Sequence, residues 1–234
     1  IDLTTSDQIR STIDFENGWS EPTQLNCPIS YFTKSEPICN LLPLYSHDNQ
    51  NYLYNIITNK YHKLESYPDK RLCQAHIIDT YNSSESARYH CYYRDRCAEN
   101  IYMNTSNDLI TWSFPEKTNL YNNNSGICML YLGNNKYIGI ANTRLRLFRT
   151  PMTIFISTDG IQWKNVYDIE RSITTDGGIG LDYKELSYPY MVLDRNTENL
   201  IITYTHERSR IRFTVIAHDK WEAWFSDINN AYTW

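Results

Sequence analysis

The feature that most constrains this chain is a repeat. The run Ile156-Ser157-Thr158-Asp159-Gly160-Ile161-Gln162-Trp163 has a second copy in Thr105-Ser106-Asn107-Asp108-Leu109-Ile110-Thr111-Trp112, and the two tryptophans lie 51 residues apart. A further step of 51 reaches back to Tyr61, in Ile56-Ile57-Thr58-Asn59-Lys60-Tyr61. This is a worn third copy, with an aromatic in the tryptophan position and no aspartate. In the intact copies the aspartate can bond backbone N–H groups of its own turn, and the tryptophan can plug between neighbouring sheets. Asp108 and Asp159 are therefore expected to serve the fold, not chemistry. A period near 50 is that of four-stranded propeller blades. The 234 residues then make five blades, or six with one incomplete, within the usual range for such folds.

The rest of the chain reads the same way. Lys136–Asn142, Met152–Ser157, Tyr190–Leu193, Asn199–Thr205 and Arg210–Ala217 are short apolar or alternating runs separated by Gly, Asn and Asp turn signals, the pattern of strands. The 20 tyrosines against 8 glycines and 8 prolines favour strands, because bulky and branched side chains pack well on a pleated surface. We read one all-β domain over residues 1–234, with 1–35 as a segment that completes a blade. Trp221 to Trp234 is expected to form outer strands or an exposed aromatic patch.

Several function classes are excluded at this level. The net charge is −5 with scattered Lys and Arg, so the basic stripe of a nucleic-acid binder is missing. No run approaches the roughly 20 apolar residues of a membrane span. None of the six cysteines (Cys27, Cys39, Cys73, Cys91, Cys97 and Cys128) forms a C-x-x-C pair, which disfavours a metal, and no cofactor is implied. Their even number, with sequons at Asn82, Asn104 and Asn123, favours disulfides, glycosylation and an oxidising, extracellular compartment. Fifteen pairings are open; proximity suggests Cys27–Cys39 and Cys91–Cys97, leaving Cys73–Cys128. No signal peptide precedes Ile1, so a secreted chain would begin here after processing or as an excised domain.

The repeat resembles the Asp box, and its surroundings resemble the sialidase-like (bacterial neuraminidase repeat) family. The matching blocks run in order: Leu41-Leu42-Pro43-Leu44-Tyr45, Leu72-Cys73-Gln74-Ala75, Tyr93-Arg94-Asp95, Asn122-Asn123-Asn124-Ser125-Gly126, Gly139 to Asn142, Arg149, Met152 to Asp159, Glu185-Leu186-Ser187-Tyr188-Pro189, Thr203-Tyr204-Thr205 and Arg208. The resemblance implies a propeller whose active surface lies where the inner strands begin. It also implies an arginine triad for a sugar carboxylate, a Tyr–Glu nucleophile pair and an aspartate acid/base. The physical requirement is clear, since guanidinium groups bind a planar carboxylate through paired hydrogen bonds and a tyrosine hydroxyl needs a carboxylate to take its proton.

Carried over residue by residue, Arg94, Arg149 and Arg208 would grip the carboxylate, with Gln74 and Asn124 donating to sugar hydroxyls. Tyr188 or Tyr204, activated by Glu185, would be the nucleophile, and Asp95 the acid/base. The family's Arg-Ile-Pro motif is missing. Each candidate has a plainer role: Arg94 could pair with Asp95 or Asp108, Arg149 could brace a loop, and Tyr188 and Tyr204 could pack in the core. The resemblance implies an exo-glycosidase of sialidase type acting on, or recognising, terminal acidic sugars. The alternatives are a lectin or attachment module without catalysis, a polysaccharide lyase using His76 or His90 as base, and a propeller that binds protein partners. Glycans or glycoconjugates are the expected partners in the first three.

Overall fold

Alternation decides the strands. In Leu200–His206 every second residue is buried, and Leu200, Ile202, Tyr204 and His206 face one side, as a period of two requires. The computed structural model describes residues 35, 37–46, 49–64, 71–80, 87–144, 148–170 and 185–228, plus five short strands in backbone only. In chain order the strands are β1 (Gln8–Ile9), β2 (Thr23–Gln24), β3 (Tyr31–Phe32), β4 (Leu41–Tyr45), β5 (Asn51–Asn55), β6 (Lys60–Lys63), β7 (Leu72–Asp79), β8 (Tyr89–Asp95), β9 (Asn100–Ser106), β10 (Glu116–Tyr121), β11 (Cys128–Tyr131), β12 (Tyr137–Ala141), β13 (Met152–Ser157), β14 (Lys164–Glu170), β15 (Ile173–Thr174), β16 (Asp182–Tyr183), β17 (Leu186–Leu193), β18 (Leu200–His206) and β19 (Arg210–Ile216).

These strands form four antiparallel meanders: β3–β6, β7–β10, β11–β14 and the three-stranded β17–β19, with β1–β2 and β15–β16 as two-stranded ribbons. Successive sheets meet through their inner strands, β4 against β7, β7 against β11 and β11 against β17. Each cleft holds its own core. Leu53, Leu72, Tyr93 and Trp112 fill the first cleft, Tyr92, Met129, Phe155 and Trp163 the second, and Ile154, Met191, Ile202 and Tyr204 the third. A cavity of about 350 Å³ lies where β7, β11 and β17 face one another, lined by His76, Ile78, Cys128, Tyr131 and Tyr190 among others. This is blade architecture, with four blade-sized sheets among the described residues and no sheet bonds closing the fourth onto the first.

The boxes join the third and fourth strands of a sheet at the far ends from those inner-strand starts. Asp108 Oδ1 accepts the N–H of Ile110 (2.8 Å) and Thr111 (2.7 Å), and Asp159 Oδ1 accepts those of Ile161 and Gln162 (both 2.8 Å). Backbone bonds from Thr111 and Ile110 hold the Asp108 carboxyl down to about 2. The serines repeat one another too: Ser106 Oγ takes the N–H of Asp108 and Leu109, and Ser157 Oγ those of Asp159 and Gly160. The worn copy keeps this device in another residue. Asn55 stands 51 residues before Ser106, and its Oδ1 accepts the N–H of Ile57 (3.0 Å) and Thr58 (2.9 Å).

Each box is also fastened to the preceding sheet. His62 Nε2 meets the Leu109 carbonyl at 2.9 Å, and the Tyr92 hydroxyl donates to that of Gly160 at 2.8 Å. Gly160 has φ +72°, and a Cβ there would lie 2.9 Å from both His90 Nδ1 and Tyr92 Oη. Gly160→Ala is therefore expected to lower stability by about 1–3 kcal/mol through strain and overpacking. The urea midpoint measures it, and an unchanged midpoint would mean the box is not a staple between sheets.

The C-terminal tryptophans do not extend a sheet. After β19 the chain forms helix α1 (His218–Ser226), where Trp221, Trp224, Phe225 and Ile228 recur at helical spacing and pack on the third core. Trp221 is buried and Trp224 stacks on Tyr167. This corrects the expectation of outer strands or an exposed patch; Trp234 lies outside the described residues. No helix among the described residues is long and apolar enough to cross a membrane.

Candidate functional site

Two bulges mark one end of the sheets. The pairing of β7 with β8 shifts register between Cys73 and His76, and that of β17 with β18 between Ser187 and Tyr190. Inside each shift the third residue of an inner strand turns left-handed, Gln74 at φ 56° and Tyr188 at φ 54°. A bulge re-aims a side chain, and a bulky residue at positive φ is an outlier costing about 1–3 kcal/mol that surrounding structure must sustain. Arg208 is a third case. Glu207 and Arg208 have φ 53° and 52° in a turn closed by Ser209 N–H on the His206 carbonyl. That geometry favours Asn-Gly, yet here it presents an arginine.

These positions converge. Arg94, paired with Cys73 across the sheet, donates Nε to Asn124 Oδ1 (2.7 Å) and Nη1 to Gln74 Oε1 (3.0 Å). The Gln74 amide donates in turn to the Tyr45 hydroxyl at 3.1 Å. Arg149 donates to Glu185 Oε1 (2.7 Å) and to the Asn124 carbonyl (3.2 Å), and its guanidinium lies 5.9 Å from the Tyr188 ring centre. Arg208 Nε reaches the other Glu185 oxygen at 2.9 Å. Among the described residues, one bonded network thus contains Arg94, Arg149 and Arg208 with a single carboxylate, Glu185.

Its electrostatics follow. Burial pulls the Arg94 pKa down and the nearby Arg149 charge adds to that, although an arginine stays cationic. Among the described residues Arg94 makes no ion pair: its two side-chain acceptors are neutral amides. For Glu185, burial pushes the pKa up, but the Arg208 bond and both arginine charges outweigh it and hold the carboxyl below its usual range. Tyr188 is 43% exposed at the edge of the cluster.

Of the residues expected from the sequence, Gln74, Arg94, Asn124, Arg149, Glu185, Tyr188 and Arg208 come together. Gln74 and Asn124 spend their side-chain oxygens on Arg94, a different task from donating to sugar hydroxyls. Asp95 does not join them. Consecutive strand residues point to opposite faces, so Asp95 turns away from Arg94, is fully buried and pairs with Arg71 at 2.6 and 2.9 Å. It also accepts the backbone N–H of Cys97 and Glu99.

Tyr204 lies apart too, in the cleft between the third and fourth sheets. Its hydroxyl donates to Glu170 at 2.7 Å, and Arg212 and His206 contact the same carboxylate. Burial and Glu170 push its pKa up to about 12. The histidines weighed as bases are buried: His76 Nε2 sits on the Met129 backbone, and His90 is 1% exposed and stacks on Tyr137. Sequence reasoning missed Tyr45 as a cluster member and Glu170 as the tyrosine's partner. Tyr45 ends a block already matched to the family; Glu170 had no sequence signal.

Among the described residues, Cys39, Cys73, Cys91, Cys97 and Cys128 form no disulfide with one another. Cys91 is buried inside β8 whereas Cys97 is exposed in the following turn, and the Cys128 sulfur accepts the Met191 N–H at 3.3 Å. Asn104 is 1% exposed with its amide nitrogen on the Ser113 carbonyl, and Asn123 is buried with its own on the Phe148 carbonyl. Cys27 and Asn82 lie outside the described residues. No group of three or more His, Cys, Asp or Glu among the described residues is placed to hold a metal.

Comparison with known proteins agrees with the architecture. The BNR repeat-like domain family matches residues 5–202. The fold is similar to that of a Trypanosoma rangeli sialidase bound covalently to 2,3-difluorosialic acid, with a TM-score of 0.60 at 11% identity. It is also similar to a Hadza microbial sialidase, with a TM-score of 0.60 at 15% identity. Those matches cover 95% and 91% of this chain but 39% and 44% of the sialidase chains, so the chain spans less than half of their length. A Trypanosoma rangeli sialidase in complex with sialic acid matches at 0.58 with 10% identity, over 95% of this chain and 39% of its own. No curated protein matches the chain.

Proposed function

We propose, since the chain belongs to the BNR repeat-like domain family, that its arginine cluster recognises a terminal acidic sugar by the sugar's carboxylate. The observation that carries this reading is Arg94, a largely buried guanidinium held by neutral amides and lacking an anionic partner among the described residues. A buried cation without a counter-ion is unfavourable until one is supplied, and a carboxylate has the planar two-oxygen shape that a guanidinium matches. Tyr188 and Tyr45 beside it offer aromatic surface with a polar tip. An extracellular place of action is consistent with a glycan partner.

Hydrolysis is the second reading, favoured by one observation: Tyr188 is exposed and held left-handed, three residues from Glu185. Recognition ranks first because Glu185 is engaged by two arginines and Asp95 by Arg71. Lyase chemistry would call on His76 or His90 as base, and both are buried.

The test is binding of N-acetylneuraminate, glucuronate and neutral galactose to the intact chain, followed by NMR titration. The acids are expected to bind, and more weakly as salt rises, while galactose does not. Equal binding of all three would sink the carboxylate reading. Turnover of a fluorogenic sialoside that disappears in Tyr188→Phe would put hydrolysis ahead of recognition.

A further inference from the structure

We infer that Asn124 is a positioning residue that brackets two arginines of the cluster without cancelling their charge. The inference rests on the acidic-sugar reading for its purpose but on geometry for its substance. Arg94 comes from β8 and Arg149 from the loop before β13, and each carries the same charge. Asn124 holds both: its side-chain oxygen accepts Arg94 Nε at 2.7 Å and its main-chain oxygen accepts Arg149 Nη2 at 3.2 Å. Its φ of 62° is a left-handed conformation that asparagine tolerates better than most residues.

The neighbouring asparagines hold that conformation. Asn122 Oδ1 accepts the Asn124 N–H at 3.0 Å while its amide donates to the Ser125 carbonyl at 3.1 Å, and Asn123 donates to the Phe148 carbonyl, next to Arg149. Three consecutive asparagines therefore have three tasks: shaping the turn, tying it to the Arg149 loop, and spacing the guanidiniums. A carboxylate at Asn124 could accept the same bonds more strongly, but it would occupy the charge that an incoming anion has to meet.

Two substitutions separate this role from a merely structural one. Asn124→Gly tolerates the positive φ and keeps the main-chain oxygen but removes the bond to Arg94. The Arg94 Nε–H, followed by ¹⁵N NMR, is expected to exchange with solvent at least about tenfold faster, the equivalent of one lost hydrogen bond. Asn124→Asp keeps both acceptors and should leave Arg94 exchange no faster, and the fold no less stable, than in the parent chain. Its affinity for N-acetylneuraminate should nevertheless fall roughly tenfold or more.

Unchanged Arg94 exchange in Asn124→Gly, or unchanged affinity in Asn124→Asp, would overturn the inference. If the parent chain binds neither N-acetylneuraminate nor glucuronate while Asn124→Gly still frees Arg94, the bracket stands and the acidic-sugar reading fails.

Discussion

Asp95→Ala is expected to destabilise the fold by about 3–5 kcal/mol, the usual cost of removing one partner from a buried ion pair. The carboxylate is inaccessible, takes both oxygens to Arg71 and accepts N–H groups from the turn that starts β9. Without it the Arg71 guanidinium, itself 13% exposed, loses its principal counter-ion and the turn loses its acceptor. Linkage to pH runs the same way. Burial tends to raise the Asp95 pKa, but the Arg71 bond and the backbone N–H groups of Cys97 and Glu99 outweigh it and hold the carboxyl below the usual aspartate range. The group's contribution is therefore complete above its unfolded pKa and is lost as pH falls through the lower folded one. Urea unfolding at neutral pH measures the effect. A variant as stable as the parent would remove Asp95 from the fold and return it to the list of catalytic acids.

The second large effect is on binding. Arg94→Ala should weaken an acidic sugar by about 2–5 kcal/mol, roughly 30-fold to several thousandfold, as when a desolvated, hydrogen-bonded charge is truncated. The stranded oxygens of Gln74 and Asn124 add to the loss. Arg94→Lys should recover only part of it, because an ammonium cannot reproduce a two-pronged contact while also reaching Asn124 and Gln74. Calorimetric titration with N-acetylneuraminate reads both variants. Equal affinity in Arg94→Ala would mean the anion binds elsewhere.

How much of this was legible follows from the kind of signal each residue carried. The 51-residue spacing was visible because aspartate and tryptophan have few substitutes in their roles. The third copy is degraded in sequence because it lacks the aspartate and the tryptophan, while Asn55 takes over the serine's part with a different side chain. Its bonding keeps the serine half of the device where its letters do not. Among site residues, Arg94 and Asp95 arrived together in one matched block, and only the period of two in β8 sends them to opposite faces. Tyr188 and Tyr204 were likewise equal in sequence. A bulge brings the first to the surface, while an unbroken alternation in β18 buries the second.

The cysteines and sequons carry a weaker signal for a related reason. Nearness along the chain says nothing about which face of a strand Cys91 or Asn104 occupies. Nor was the role of Asn124 readable, since it depends on a left-handed turn that brings together arginines from two sheets.

The central claim is that the cluster reads a carboxylate, and the most direct measurement sets an acidic sugar against its own methyl ester. The ester keeps the ring and hydroxyls of N-acetylneuraminic acid and removes only the charge. Calorimetry on the intact chain is expected to show binding of the acid and a loss of at least about tenfold for the ester, one lost charge-assisted contact. Equal affinity for the two would contradict the account, because a site that binds both alike is not using its arginines on the carboxylate.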